Sequence, residues 1–253
     1  MAHSRNRWRR LGLWAVGLAA LVAVANVPTT THQGVNFVVS ARTLPAYVKA
    51  LDFVDRDANY KGLARQIAGR GSSEEARLRA VFDWTRTNIR DTPAGFPVVD
   101  DHVWHIIIRG YGQDDQKADV FTTLLTYAGV PAYWIFIGPR PELTLSLVEI
   151  EGKWRAIDVP NGVIFKGPDG QLATPELISA DRQLVARQGP PRYRGLEYTR
   201  YFDRFRAPTA PDITRAEMQM VWPRIWFNVK RLAGRGGDAW NMRPPSRETP
   251  GSD

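Results

Sequence analysis

At 253 residues, with 43% hydrophobic side chains and nine Trp, the chain is long enough for one well-packed domain with flanking segments. It contains no Cys, which excludes disulfides and all thiol chemistry, and no zinc pattern, P-loop or dinucleotide fingerprint is present, so neither metal nor cofactor is expected. The formal net charge of +8 suits either anionic neighbours, such as membrane head groups or acidic polysaccharide, or simply a soluble basic surface.

The N-terminus is the most easily read segment. Arg5, Arg7, Arg9 and Arg10 precede the uncharged apolar run Leu11–Ala25, which Asn26 and Pro28 close. Residues 1–28 therefore read as a signal peptide or a membrane anchor. The run is short beside the ~20 residues of a spanning helix, and Ala23-Val24-Ala25 is a cleavage pattern. Extension by Trp8 and Val27, with the basic flank kept inside, favours a retained transmembrane helix. Either way the body is expected in the periplasm or otherwise outside the cytoplasm, beside the cytoplasmic membrane, and nucleic acid is not an expected partner.

Pro28–Gly34 reads as a polar linker and Val35–Ser40 as a short strand or extended arm, opening a domain expected over 35–232. Helical spacing follows over Leu44–Ile67, ended by Gly69–Gly71. Ser72-Ser73-Glu74-Glu75 is a capping-box pattern for a helix with Leu78, Val81, Phe82 and Ile89 on one face. A loop over Pro93–Asp101 precedes an Ile-rich segment, His102–Ile108, expected to be buried. It leads into the turn Arg109-Gly110-Tyr111-Gly112-Gln113-Asp114-Asp115-Gln116-Lys117-Ala118. An apolar helix then runs to Gly129-Val130-Pro131-Ala132 and a strand at Tyr133–Ile137. Strands Leu143–Ile150 and Lys153–Asp158 flank the hairpin Glu151-Gly152-Lys153-Trp154, and a turn follows at Gly167-Pro168-Asp169-Gly170.

In order and spacing, Ser72 to Val163 resembles the bacterial transglutaminase-like superfamily, which has the papain-like cysteine protease fold. The resemblance implies an α+β architecture, helices packed on a small antiparallel sheet, preceded here by the signal or anchor helix. It places the family's nucleophilic cysteine at Asp114, its histidine at Leu143 and its aspartate at Asp158. This chain would then be a degenerate member in which only Asp158 survives. In the family the thiol at a helix N-terminus is held as thiolate beside an imidazole that the aspartate orients. A carboxylate at Asp114 is a poor acyl-transfer nucleophile and Leu143 moves no proton, so no catalytic residue is expected.

Asp114 or Asp115 would serve instead as a helix cap, worth about 1 kcal/mol, and Asp158 before Pro160 as an acceptor for turn amides. Candidates to line the old cleft are Trp104, His105, Gln113, Asp114, Asp115 and Asp158. Similar bacterial proteins, with a turn like Gly110-Tyr111-Gly112 followed by Asp115-Gln116, occur with envelope or exopolysaccharide assembly. The resemblance thus implies a binding or scaffold accessory there, with an envelope-assembly protein or acidic polysaccharide as partner. The alternative is a carboxylate- or metal-dependent hydrolase in which Asp114, Asp115 and Asp158 converge with His102 or His105.

Beyond the resemblance, Pro175–Arg187 suits a helix and Gly189–Tyr201 is rich in Arg, Tyr and Pro. Asp212–Leu232 suits an amphipathic helix, interrupted at Pro223, with Met218, Met220, Val221, Trp222, Ile225, Trp226 and Val229 apolar. Such a helix either covers the core or lies on a membrane or partner through Trp222, Trp226, Lys230 and Arg231. Residues 233–253 have the composition of a disordered tail.

Overall fold

The computed structural model describes residues 2–69, 73–100 and 102–235, and for residues 2–11 the backbone only. Ser72 of the expected capping box and the expected disordered tail from 236 onward lie outside the described residues.

In chain order the elements are α1 (Ala2–Ala25), β1 (Pro28–Val35), β2 (Val38–Pro45), α2 (Ala46–Ala68), α3 (Glu74–Asn88), β3 (Arg90–Asp91), β4 (Val99–Asp100) and α4 (Val103–Arg109). Next come β5 (Tyr111–Gly112), α5 (Asp114–Tyr127), β6 (Ala132–Ile137), β7 (Leu143–Ile150), β8 (Lys153–Asp158) and β9 (Val163–Ile164). The C-terminal part holds α6 (Pro175–Ala180), α7 (Arg182–Gln188), β10 (Arg192–Tyr193), β11 (Leu196–Glu197), 3-10 turns at Tyr198–Phe202 and Glu217–Gln219, and α8 (Val221–Leu232). The class is α+β with small, mainly antiparallel sheets.

Two compact units divide the chain, Met1–Arg56 with Pro97–Asp101, and Asp57–Phe96 with His102–Asp253. In the first, the expected linker at Pro28–Gly34 is instead a strand. β1 pairs with β2 in register from Pro28–Pro45 to Val35–Val38 and with β4 on its other edge. The reason is the turn: Asn36 and Phe37 take φ of 48° and 66°, the left-handed pair of a tight hairpin, and the Thr-rich flanks accept the extended backbone. In α1, Leu13, Trp14, Val16, Leu18 and Leu21 are exposed. Among the described residues no helix is long and apolar enough to cross a membrane.

The second unit is built on the antiparallel sheet β6-β7-β8-β9. Alternation along the strands divides the core between its two faces. Val148, Ile150 and Ile157 join Tyr60, Leu78, Val81, Phe121 and Leu124, contributed by α2, α3 and α5. Leu143, Leu145, Leu147 and Ala156 join Leu184 and Val185 of α7 with Tyr198, Tyr201 and Phe202 of the 3-10 turn. The expected face of α3 is present, Leu78, Val81 and Phe82 being buried together with Ile89 just beyond its end. Ser73 caps this helix, its hydroxyl accepting from Ala76 N at 3.2 Å. Pro175–Arg187 is broken in two, because Asp181 ends α6 and its carboxylate caps α7 by accepting from Gln183 N and Leu184 N.

Leu124 is fully buried on α5. Leu124→Ala is expected to lower stability by about 3 kcal/mol, read as a lower urea midpoint at unchanged m-value.

Candidate functional site

The turn that precedes α5 is clamped on both sides. Gly110, at φ 69°, ends α4 in the left-handed conformation, and its carbonyl accepts from Arg90 N at 3.0 Å. β3 and β5 then pair in parallel, Arg90 with Tyr111 and Asp91 with Gly112. Gly112 is needed for closeness, since a Cβ there would lie 2.9 Å from Gln116 Cβ. The expected aspartate cap is corrected to Gln113, which forms a reciprocal capping box with Gln116. Gln116 Oε1 accepts from Gln113 N at 3.1 Å, and Asp115 Oδ1 accepts from Gln116 N at 2.9 Å. Asp114, in the first turn, is released from capping and its carboxylate points elsewhere.

It meets the C-terminal part of the chain. Arg194 and Gly195, at φ 46° and 87°, turn a two-stranded hairpin, β10 with β11, that brings Tyr193 and Arg194 onto Asp114. The Tyr193 hydroxyl and Arg194 Nη2 both donate to Asp114 Oδ2, the latter at 2.7 Å. The Arg194 guanidinium lies 5.2 Å from the Tyr193 ring centroid.

Asp158 ends β8 one step past the Ser146–Ile157 pair, which places it opposite Leu145 and diagonal to Leu143 on the same sheet face. It is fully buried. The Tyr198 hydroxyl donates to its Oδ2 at 2.5 Å, Asn161 Nδ2 to the same oxygen at 2.9 Å, and Asn161 N to Oδ1 at 3.0 Å. Burial raises its pKa to about 6, the bonds from Tyr198 and Asn161 oppose the rise, and the nearby Asp114 charge adds to it. Burial, followed by the field and hydrogen bonds of these carboxylates, pushes the Tyr193 and Tyr198 phenols up. Both therefore stay neutral donors.

Asp114 and Asp158 are thus each held by a tyrosine and lie close enough for their charges to interact, and Leu143 is buried in the apolar cluster that holds Tyr198 and Tyr201. The remaining candidates are more dispersed. Trp104 packs edge-on against Tyr60, ring centroids 5.4 Å apart, in the cluster on the other sheet face. The expected burial of the two histidines is corrected: on the short helix α4, Val103 and Ile106 take the inward positions, leaving His105 exposed and His102 part-exposed at the N-cap. Among the described residues no group of three or more His, Cys, Asp or Glu is gathered as a metal ion would require. Tyr193, Arg194, Tyr198 and Asn161 were not singled out from the sequence. The Arg- and Tyr-rich composition of Gly189–Tyr201 was the available signal.

Residues 61–159 match the family model of the transglutaminase-like superfamily. This part of the chain, from α2 to the end of β8, is thus similar to a transglutaminase-like core. Three solved structures are similar over part of their length. A proposed cysteine protease of Cytophaga hutchinsonii is 17% identical, with 46% of this chain and 40% of that one covered at a TM-score of 0.37. A proposed protease of Parabacteroides distasonis is 13% identical, at 53% and 36% coverage and a TM-score of 0.34. A structure described as a TGase is 11% identical, at 51% and 43% coverage and a TM-score of 0.32. In each case the match spans under half of that structure's own length. No curated protein sequence matches the chain.

Within the transglutaminase-like core, Asp158 has a defined pH signature. A folded pKa near 6 against 3.8 means that the native state binds more protons between these values. This group's contribution to stability is therefore present at low pH and lost as pH rises from about 4 to 6. The stability of Asp158→Asn relative to the wild type should rise across that window and level off above it, as measured by urea unfolding at several pH values. Tyr198→Phe, which removes a bond that favours the carboxylate, should move the window upward.

Proposed function

We propose that this protein is a catalytically inactive transglutaminase-like protein that acts outside the cytoplasm, held at the cytoplasmic membrane, as a binding or scaffold accessory in envelope or exopolysaccharide assembly. One observation carries the loss of catalysis: Tyr193 and Arg194 occupy Asp114 while Tyr198 occupies Asp158, all from the chain's own C-terminal part. Each carboxylate is thus held by donors of the chain itself, and a carboxylate at position 114 is a poor acyl-transfer nucleophile. The absence of Cys and the leucine at position 143 support the same reading. The location is supported by the basic flank Arg5–Arg10 and by the exposed apolar side chains of α1, which suit non-aqueous surroundings. The basic balance of the chain suits an acidic polysaccharide or an anionic surface. The envelope role itself is the implication of the family resemblance.

A second reading, a carboxylate-dependent hydrolase, draws on the pKa of Asp158 near 6, the property of a general acid in glycoside hydrolysis. Such an acid must reach a glycosidic oxygen, whereas Asp158 has no exposed surface and is held by Tyr198 and Asn161. The first reading is preferred on that ground. The purified protein is expected to incorporate no amine into glutamine peptides and to cleave neither peptides nor acidic polysaccharide. Polysaccharide cleavage that disappears in Asp158→Asn would establish the second reading instead. Cell fractionation should recover the full chain with membranes, and a soluble form beginning at Asn26 would replace the anchor with a cleaved signal.

Asp114→Cys supplies a thiol at the N-terminus of α5 beside Arg194, in a chain with no other cysteine. Its pKa is expected well below the model value of about 8.5, by ultraviolet thiolate titration, without any amine incorporation. A value at or above 8.5 would show that the turn no longer favours an anion.

A further inference from the structure

We propose that α8 is a membrane-interface helix whose apolar stripe lies in the head-group region of an anionic lipid surface, a reading that rests on the membrane location proposed above. A surface helix ordinarily turns its apolar stripe to the core. α8 does the reverse. Trp222, Ile225, Trp226, Val229 and Leu232 recur at helical spacing on one side, and all are exposed, Trp222 at 74%, Trp226 at 61% and Leu232 at 88%. Of the part-buried residues, Pro223 and Phe227 lie on the opposite side and Val221 and Asn228 beside Leu232, and no residue of the helix is buried. A contiguous stripe of this size, unlike scattered surface leucines, marks an interaction surface.

Charge and side-chain chemistry select the occupant. At 100° per residue Lys230 borders the stripe beside Trp226, Arg224 and Arg231 fall on the opposite, polar side, and Val221–Leu232 contains no Asp or Glu. The nearby acidic groups Asp212 and Glu217 line a cavity of about 440 Å³ shared with Pro223 and Phe227 of the opposite side and with Trp226 and Lys230. The two tryptophans sit at the edge of the stripe, next to Lys230, whose ammonium is 5.7 Å from the Trp226 ring centroid. A helix with three cations and no carboxylate of its own, one cation lying beside the indole edge of the apolar stripe, fits anionic head groups above an acyl layer. Twelve residues span ~18 Å, so the helix lies in the plane rather than crossing it.

The absence of native Cys makes a direct test possible in the full chain. A Val229→Cys variant labelled with an environment-sensitive fluorophore is titrated with vesicles of phosphatidylglycerol and phosphatidylcholine, and with phosphatidylcholine alone. The expected result is a blue shift on anionic vesicles, quenched by shallow doxyl lipids, with affinity at least about tenfold weaker on neutral ones. Lys230→Glu with Arg231→Glu, or Trp222→Ser with Trp226→Ser, should weaken binding by on the order of tenfold or more. Thermal unfolding should be unchanged in both, since these side chains are exposed. No shift on anionic vesicles overturns the proposal. So does a shift that depends on protein concentration without lipid, which would assign the stripe to a second copy. A label shielded before lipid is added also overturns it, by assigning the stripe to the chain's own residues after 235. A separate Leu18→Cys label reports α1, so that failure of α8 and failure of the membrane location are told apart.

Discussion

The larger unit is organised around the burial of α5, ten of whose fourteen residues are shielded from solvent. A helix enclosed in this way meets its polar side chains largely from within, the buried Thr123 hydroxyl being left without a partner. Thr122 and Thr126 donate back to the carbonyls of Ala118 and Thr122, both at 2.8 Å. Asp119 is the costly member, a buried carboxylate that accepts from Trp134 Nε1 at 2.7 Å and pairs with Arg215 Nη2 at 2.8 Å. It ties the helix to β6 and to the segment before α8 at once. Removing one partner of such a buried pair typically costs about 3–5 kcal/mol. At the other end Arg77 Nη1 donates to the Ala128 carbonyl at 2.6 Å, so the helix axis is held along its length.

That fixed axis carries the first turn of α5 toward the hairpin that also serves the end of β8. Burial penalises the charge of Asp158, and a neutral phenol with the Asn161 side chain and backbone supplies the donors that make it tolerable. The outcome is a network in which fold and site obey the same rule.

Elements governed by local pattern were legible in the chain. The face of α3, the helix after the Gly-rich turn and the hairpin around Glu151-Gly152 follow from periodicity and turn chemistry, and Glu151 and Gly152 take the positive φ values, 53° and 70°, that such a turn requires. Asp158 was legible because its strand end follows that hairpin at a set distance. Tyr193 and Tyr198 were not, since they reach the site from 79 and 40 residues away through a hairpin only two residues wide on each side. No periodicity announces so short an element. Asp212–Leu232 was read as one helix because its apolar spacing runs on, yet α8 begins at Val221, which leaves Pro223 in the first turn where its missing N–H is not needed. Which way its stripe faces is a property of packing alone.

The hairpin carrying Tyr193 and Arg194 also bears on how such a chain can change. Replacing Asp114 by cysteine would leave the phenol and guanidinium in place, and leave Leu143 in its apolar cluster. Recovery of acyl transfer would require separate substitutions at the turn, in β7 and in the hairpin, and the cluster disfavours an imidazole before its partners exist. Intermediate sequences would gain nothing in rate while losing packing. Under the function proposed above the arrangement would work as a ratchet, a closed polar network leaving selection to act on what the surface binds.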